Sequence, residues 1–319
     1  MISNNINFLD IGSAGGLEWP WSKMPKNLLN LYLCDPREND KNRKNIIKNI
    51  LWNENITKEF NYFNARDTSS LYMPNLDYLK NFPNIERFNL NSTIKLEAKT
   101  IDYFIKNKTI NDIDFMKIDA QGSELNILKG GEKFLKNNLI GLQIEVEFNE
   151  IYKGQPLFNG IDSFIRNNLG LQLWDLQPHY WSYKNNLKQP NSKGQLVYAD
   201  ALYLKPITNL ELIKKNINID KFINKIFSLI YVSIMYGFYD YAEFVLKNKK
   251  INKYLDHNQI LFLNKYLKKS SKCIRPFKKG NYYLSNVFEL IMNIFKYQQN
   301  GWSSGGSNLG TRKFWLFRK

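Results

Sequence analysis

The chain has 319 residues, 43% of them hydrophobic and 15% aromatic, enough for one large or two modest packed domains and too apolar for a disordered chain. Its net charge of +16 raises a nucleic acid or another anionic surface as a partner, but the excess reads as lysine scattered among asparagine and isoleucine rather than as a binding stripe. Cys34 and Cys273 form no CxxC or Cys/His pattern, which excludes a disulfide framework and a cysteine zinc site and suits a reducing compartment. The longest weakly polar run, Ile226–Phe238, is shorter than the roughly 20 residues of a membrane span, and the start MISNNINFLDIG lacks a signal-peptide architecture. A cytoplasmic protein is expected.

Phe8–Ile11 is an apolar run that breaks at Gly12-Ser13-Ala14-Gly15-Gly16, a first strand leading into a glycine-rich turn. Asn30–Cys34 reads as a second strand, stopped by Asp35-Pro36. Asp40–Leu51, with Ile46, Ile47 and Ile50 on one side, predicts a solvated helix. Phe60–Ala65 and Thr93–Ala98 alternate as strands, and Thr100 caps a short helix through Lys106. Strands at Asp114–Asp119 and Leu139–Phe148 flank a helix over Glu124–Lys136, and Ile161–Asn168 is a further helix. Leu171–Leu176 and Leu196–Leu204 read as two strands joined by an aromatic loop holding Pro178, His179, Tyr180 and Trp181. The alternation predicts an α/β fold, a mostly parallel sheet covered by helices and closed by a last antiparallel strand. Past Lys205-Pro206 the period turns helical, which places a boundary there: 1–205 and a helical extension, 206–319. The latter ends in a flexible loop, Gly301–Gly310, and a basic aromatic tail whose Arg312, Lys313, Phe314, Trp315 and Phe317 suit a nucleic-acid surface or a docking tail.

Chemistry gathers at the strand ends. The glycines after Asp10 allow close backbone approach to a ligand, and Asp35 is placed to accept hydrogen bonds from two ribose hydroxyls. The turn does not follow G-x-G-x-x-G, and Pro20 and Pro25 oppose the long helix that would bind a pyrophosphate. A ligand with a ribose but no phosphate is favoured, and S-adenosylmethionine fits. Glu145 and Glu147 share one face of their strand, opposite Ile144, Val146 and Phe148. Two such carboxylates need partners: Lys117 or Lys153, a polyhydroxylated substrate, or, with Asp119, a divalent cation such as magnesium. His179 could take a substrate proton, or it is a packing histidine beside Tyr180 and Trp181. Tyr152, Gln155, Tyr180 and Trp181 could form a wall for a sugar or be ordinary core.

The segments FLDIGSAGG, Ser69-Ser70-Leu71, TIDYF, DFMKIDAQGSELNILKGG, IEVEFNEIYKGQPLF and GQLVYADALYL resemble, in order, the FkbM-type family of S-adenosylmethionine-dependent methyltransferases. The resemblance spans the first two-thirds of the chain. It implies a class I Rossmann-like fold and an O-methyltransferase acting on a sugar or another hydroxylated small molecule. It places Asp10, Gly12, Ser13 and Gly15 at the methionine end of the cofactor and Asp35 at the ribose. Arg66, Ser69 and Ser70 fall towards the adenine, and Asp119 and Ala120 face the reacting methyl. The proline-broken link after Gly16 departs from the family pattern and implies a distorted or missing first cofactor helix. The helical extension lies outside the resemblance and would cover the site, bind the acceptor or form a homodimer. An RNA methyltransferase, favoured by charge alone, and a non-catalytic binding module on the same fold are the competing readings.

Overall fold

The computed structural model describes residues 4–12, 16–36, 45–184, 194–270, 281–294 and 303–305. The strands are β1 (Ile6–Ile11), β2 (Leu29–Cys34), β3 (Ile46–Ile47), β4 (Ile50–Leu51), β5 (Ile56–Phe63), β6 (Leu90–Lys99), β7 (Phe115–Ile118), β8 (Gly141–Glu147), β9 (Gln172–Trp181), β10 (Gln195–Leu204) and β11 (Ser303–Gly305). Eight form a sheet in the order β11-β9-β10-β8-β7-β1-β2-β3, and β4-β6-β5 form a second, smaller one. From β8 to β3 the large sheet is parallel. Beyond β8 the strands β10, β9 and β11 run antiparallel. The chain leaves β1 first for β2 and later returns to β7 on the other side, so β1 and β7 flank the switch point where open α/β sheets bind ligands.

Central strands are apolar on both faces because both are covered: all four residues of β7 are buried. One face packs on α1 (Leu76–Leu79) through α5 (Phe158–Phe164) in part: α2 (Ile101–Lys106), α3 (Glu124–Lys129), α4 (Glu132–Asn138) and α5 bury Ile101, Phe104, Ile127, Leu128, Leu135 and Ile161 against Leu9, Met116, Leu142 and Ile144. Thr100 caps α2, its hydroxyl accepting from the Tyr103 amide at 2.9 Å. The other face is covered from the far end of the chain. There α6 (Ile207–Lys214), α7 (Ile219–Tyr236), α8 (Tyr239–Lys247), α9 (Lys249–Asn252) and α10 (His257–Ser270) follow β10, and α11 (Asn281–Ile294) comes after them. Phe8, Phe115, Leu202 and Leu204 share one core with Phe222, Ile226, Phe227 and Ile230 of α7.

Among the described residues no α-helix follows β1 before β2. The link carries two short 3-10 turns, Trp21–Lys23 and Lys26–Leu28. Trp21 stacks on Phe8 at 4.1 Å between ring centroids, and its indole N–H donates to the Tyr236 hydroxyl at 3.0 Å. Thus α7 occupies the layer that a first cofactor helix would fill. It is anchored at the sheet's amino edge by Lys225, fully buried, 2.8 Å from both Asp112 and Asp114.

Four expectations are corrected. The helix predicted over Asp40–Leu51 is absent among the described residues: Ile46–Ile47 pairs with the edge of β2 and Ile50–Leu51 pairs with β6, because β-branched residues here satisfy an open strand edge, with Asp35 N–H bonded to the Ile47 carbonyl at 3.2 Å. The helix over Glu124–Lys136 breaks at Gly130-Gly131, where the chain passes so close to residue 52 that a Cβ on Gly130 would lie 2.0 Å from the Trp52 carbonyl oxygen. The aromatic loop at 178–181 is the end of the ten-residue β9; Pro178 is tolerated because outside β9 lies only the three-residue β11. Part of the presumed loop 301–310 is that strand β11, while Arg312–Phe317 lie outside the described residues.

Candidate active site

A cavity opens at the carboxyl ends of β1, β2 and β7, beside the switch point. Its polar side is made by Gly12, Asp35, Ser69, Asp119, Ala120 and Ser123, and its apolar side includes Ile50, Leu51, Phe60 and Leu71 from the second sheet and its flank. Gly12 is required by shape. Its φ is +86°, its N–H donates to the Cys34 carbonyl at 2.9 Å, and a Cβ there would sit 1.8 Å from the Asp119 carbonyl oxygen. Asp10, one residue inside the strand, is buried with an unpartnered Oδ1. Burial pushes its carboxyl from 3.8 to about 7, against the opposing pull of Lys117. Asp35 is buried at the end of β2. Ser70 does not reach the cavity, since its hydroxyl donates to the Gln121 carbonyl at 2.6 Å. Arg66 is exposed on the 3-10 turn Arg66–Thr68. Ser13 and Gly15 lie outside the described residues.

The turn after β7 is built by a residue the sequence reading passed over as a helix start. Glu124, fully buried, accepts the Ala120 N–H at 2.8 Å and the Gly122 N–H at 3.3 Å. It holds Gln121 and Gly122 at positive φ. The Gln121 side-chain amide is thereby set between two acids, donating to Asp119 Oδ1 at 2.9 Å and Glu145 Oε1 at 3.0 Å. Its carbonyl oxygen faces the Tyr152 hydroxyl at 3.0 Å. Tyr152 is fully buried and Trp181 packs on Phe82, so both belong to the core rather than to an open sugar wall.

Register explains how the acids assemble. Asp10 faces Lys117 across β1 and β7, Lys117 faces Gln143, Glu145 faces Asp200 across β8 and β10, and Tyr198 faces His179 across β10 and β9. One face of the sheet therefore carries a lateral row of polar groups from the cofactor-side cavity to β9. Burial, then mutual repulsion, raises the pKa of Asp119, Glu145 and Glu147, with the Coulomb pull of Lys117 working against it at Asp119. Lys117, 3.0 Å from Glu18, is held in its charged form despite desolvation by Asp119, Glu18 and Asp10. It therefore pairs with neither glutamate of β8. Glu147 is fully enclosed, with both carboxylate oxygens lacking a hydrogen-bond partner, beside the buried Gln155 amide.

At the outer end of the row His179 Nε2 lies 3.2 Å from Asp200 Oδ2, and its ring stacks on Tyr198 at 4.4 Å. Both side chains of this pair are partly exposed, at 18% and 23%. Asp200 gave no sequence signal, because its role comes from cross-strand register with residues 145 and 177. Among the described residues no group of three or more His, Cys, Asp or Glu is arranged to hold a metal ion. The place between Asp119 and Glu145 is taken by the Gln121 amide.

The fold is an open α/β sheet with a cavity at its switch point. Residues 21–171 match the Methyltransferase FkbM domain. No curated protein and no solved structure matches the chain. The glycine turn after β1 and the strands bearing His179 and Asp200 fall outside the matched span.

Proposed function

We propose that the protein is an S-adenosylmethionine-dependent O-methyltransferase acting on a hydroxyl of a sugar or glycan precursor. The observation that carries this reading is an acid-rich cavity in a cationic protein. Asp35 and Asp119 line the cavity at the strand ends, and Asp10 is buried one residue inside β1, which suits a ligand bearing a sulfonium and an ammonium and disfavours a polyanion. The residues fit the group in shape as well. Ser123 keeps a buried hydroxyl without a partner at the cavity wall, and the apolar slot beside Phe60 and Leu71 suits a purine.

When bound, S-adenosylmethionine supplies an electrophilic methyl group. Asp35 would accept hydrogen bonds from the ribose hydroxyls, and Asp10 and Asp119 would attract the cationic end. The acceptor lies over the row from Glu145 to His179, where carboxylates and amides can hold neutral hydroxyls. His179 Nε2 would take the acceptor's hydroxyl proton, and Asp200 would orient the ring and stabilise the imidazolium. Glu145 positions the acceptor face through Gln121, and Glu147 supports it from beneath. Alignment of the acceptor oxygen supplies much of the rate.

Calorimetric titration with S-adenosylmethionine, followed by transfer of a labelled methyl group to a panel of sugars and to RNA, tests this. Micromolar binding with transfer to a sugar is expected. Absence of binding at millimolar ligand would favour a binding module, and transfer to RNA alone would favour the nucleic-acid reading.

A further inference from the structure

The positive charge is not evenly spread. Residues 265–319 hold twelve Lys and Arg and a single acid, Glu289, so 11 of the 16 net positive charges fall in the last 55 residues. Within this segment lies α11, Asn281–Ile294. Successive residues turn by about 100° along a helix, which gathers Tyr283, Leu284, Val287, Phe288, Leu290 and Ile291 into one arc and leaves Ser285 and Asn286 on the other side. The apolar arc faces solvent: Tyr283 is 75% exposed, Leu290 65%, Phe288 62% and Val287 52%. Elsewhere the helices that follow β10 turn such stripes inward, as α7 does with Phe222, Ile226 and Phe227. An uncovered face of this size marks an interaction surface.

We propose that α11 docks the protein, lying flat, on an anionic lipid bilayer. At about 1.5 Å per residue its 14 residues reach only about 21 Å, short of a roughly 30 Å hydrocarbon core. Among the described residues no helix is long and apolar enough to cross a membrane. The helix is instead an interfacial one, its aliphatic and aromatic arc entering the acyl boundary. Six cations and no acid lie between Lys268 and Lys279 just before it, and Lys296 follows it. Basic residues near an anionic surface add attraction to the apolar insertion. A second copy of this chain would cover the apolar arc but would bring one strongly cationic segment against another. RNA would match the charge but make no use of six exposed apolar side chains. A bilayer carrying acidic headgroups satisfies both.

Co-sedimentation of the full chain with vesicles is the test. Binding to phosphatidylcholine vesicles with about 30% phosphatidylglycerol is expected to be at least tenfold tighter than to phosphatidylcholine alone, and to weaken as salt rises. Val287→Asp with Leu290→Asp should lower it at least tenfold. Both positions are exposed, so the melting temperature and cofactor affinity should stay unchanged. The proposal is overturned by failure to bind anionic vesicles or by equal binding to both vesicle types. It is also overturned by a double variant that still binds, or by a concentration-dependent dimer that the same substitutions dissolve.

Discussion

His179 and Asp200 sit 3.2 Å apart on neighbouring strands, at the end of a row whose Asp10, Lys117 and Gln143 are buried. In the proposed reaction a base must both reach the acceptor and be rid of its proton, and this partly exposed pair meets those demands. His179→Gln is expected to lower kcat by about 10²–10⁴-fold, with cofactor affinity within about twofold of the parent by calorimetry. Asp200→Asn should lower kcat less, because the imidazolium formed in the reaction loses its counter-charge. Equal turnover in parent and His179 variant would remove the histidine as base. Asp35→Ala should raise the cofactor Kd by about 10–100-fold, the range for losing charge-assisted hydrogen bonds to two hydroxyls. Gly12→Ala acts differently. The added Cβ would overlap the Asp119 carbonyl oxygen at 1.8 Å, with φ fixed at +86°. Either β1 or β7 must move, so loss of stability together with loss of cofactor binding is expected, read by thermal melting and titration.

The element that changes the usual plan of such a sheet is α7. With the chain after β1 confined to 3-10 turns, one face of Phe8 and Phe115 would be bare without Trp21 and a helix from more than 200 residues later. Its placement depends on Lys225, which reaches Asp112 and the fully buried Asp114 at 2.8 Å each and donates to the Ile113 carbonyl at 2.8 Å. Removing the cation leaves two carboxylates facing each other in the interior. Lys225→Ala should destabilise the protein by about 3–5 kcal/mol in denaturant unfolding; a loss under about 1 kcal/mol would mean that apolar packing alone fixes α7. The same contrast decides what could be read from sequence. The β7 strand, the Gln121-Gly122 turn and the capped α2 are specified within a few residues, so FMKIDAQGSE and TIDYF disclose them. The cover supplied by α7, the pairing of Ile46–Ile47 with β2, and the meeting of Asp200 with His179 depend on partners far along the chain. Isoleucines at helical spacing equally suit an edge strand, and only the open edge of β2 selects between the two. Glu124 was visible as a helix start, yet its hold on the Asp119–Gly122 turn follows from a side chain folding back on its own loop.

At the scale of the molecule, a cationic chain gathers a cluster of acids with raised pKa near its switch-point crevice, and this sets opposite pH dependences for folding and for ligand binding. Burial raises Asp10 from 3.8 to about 7 and Glu124 from 4.5 to about 7, and it raises Asp119, Glu145 and Glu147 as well. Acids whose pKa is higher folded than unfolded hold protons more tightly in the native state. Their contribution to stability is complete below about pH 4 and is lost as the pH rises through about 7. The ligand-free protein should therefore lose stability between pH 5 and pH 8, by an amount on the order of a few kcal/mol. Asp10→Asn should flatten that profile. A cationic ligand reverses the sign, since ionised Asp10 and Asp119 attract it while their protonated forms do not. S-adenosylmethionine affinity should thus rise through pH 7, with proton release on binding visible as a buffer-dependent heat. S-adenosylhomocysteine, whose sulfur is neutral, should show a shallower rise. Parallel profiles for the two ligands would mean that the crevice does not sense the sulfonium, and the acids would then have to be explained as a scaffold for the Asp119–Gly122 turn alone.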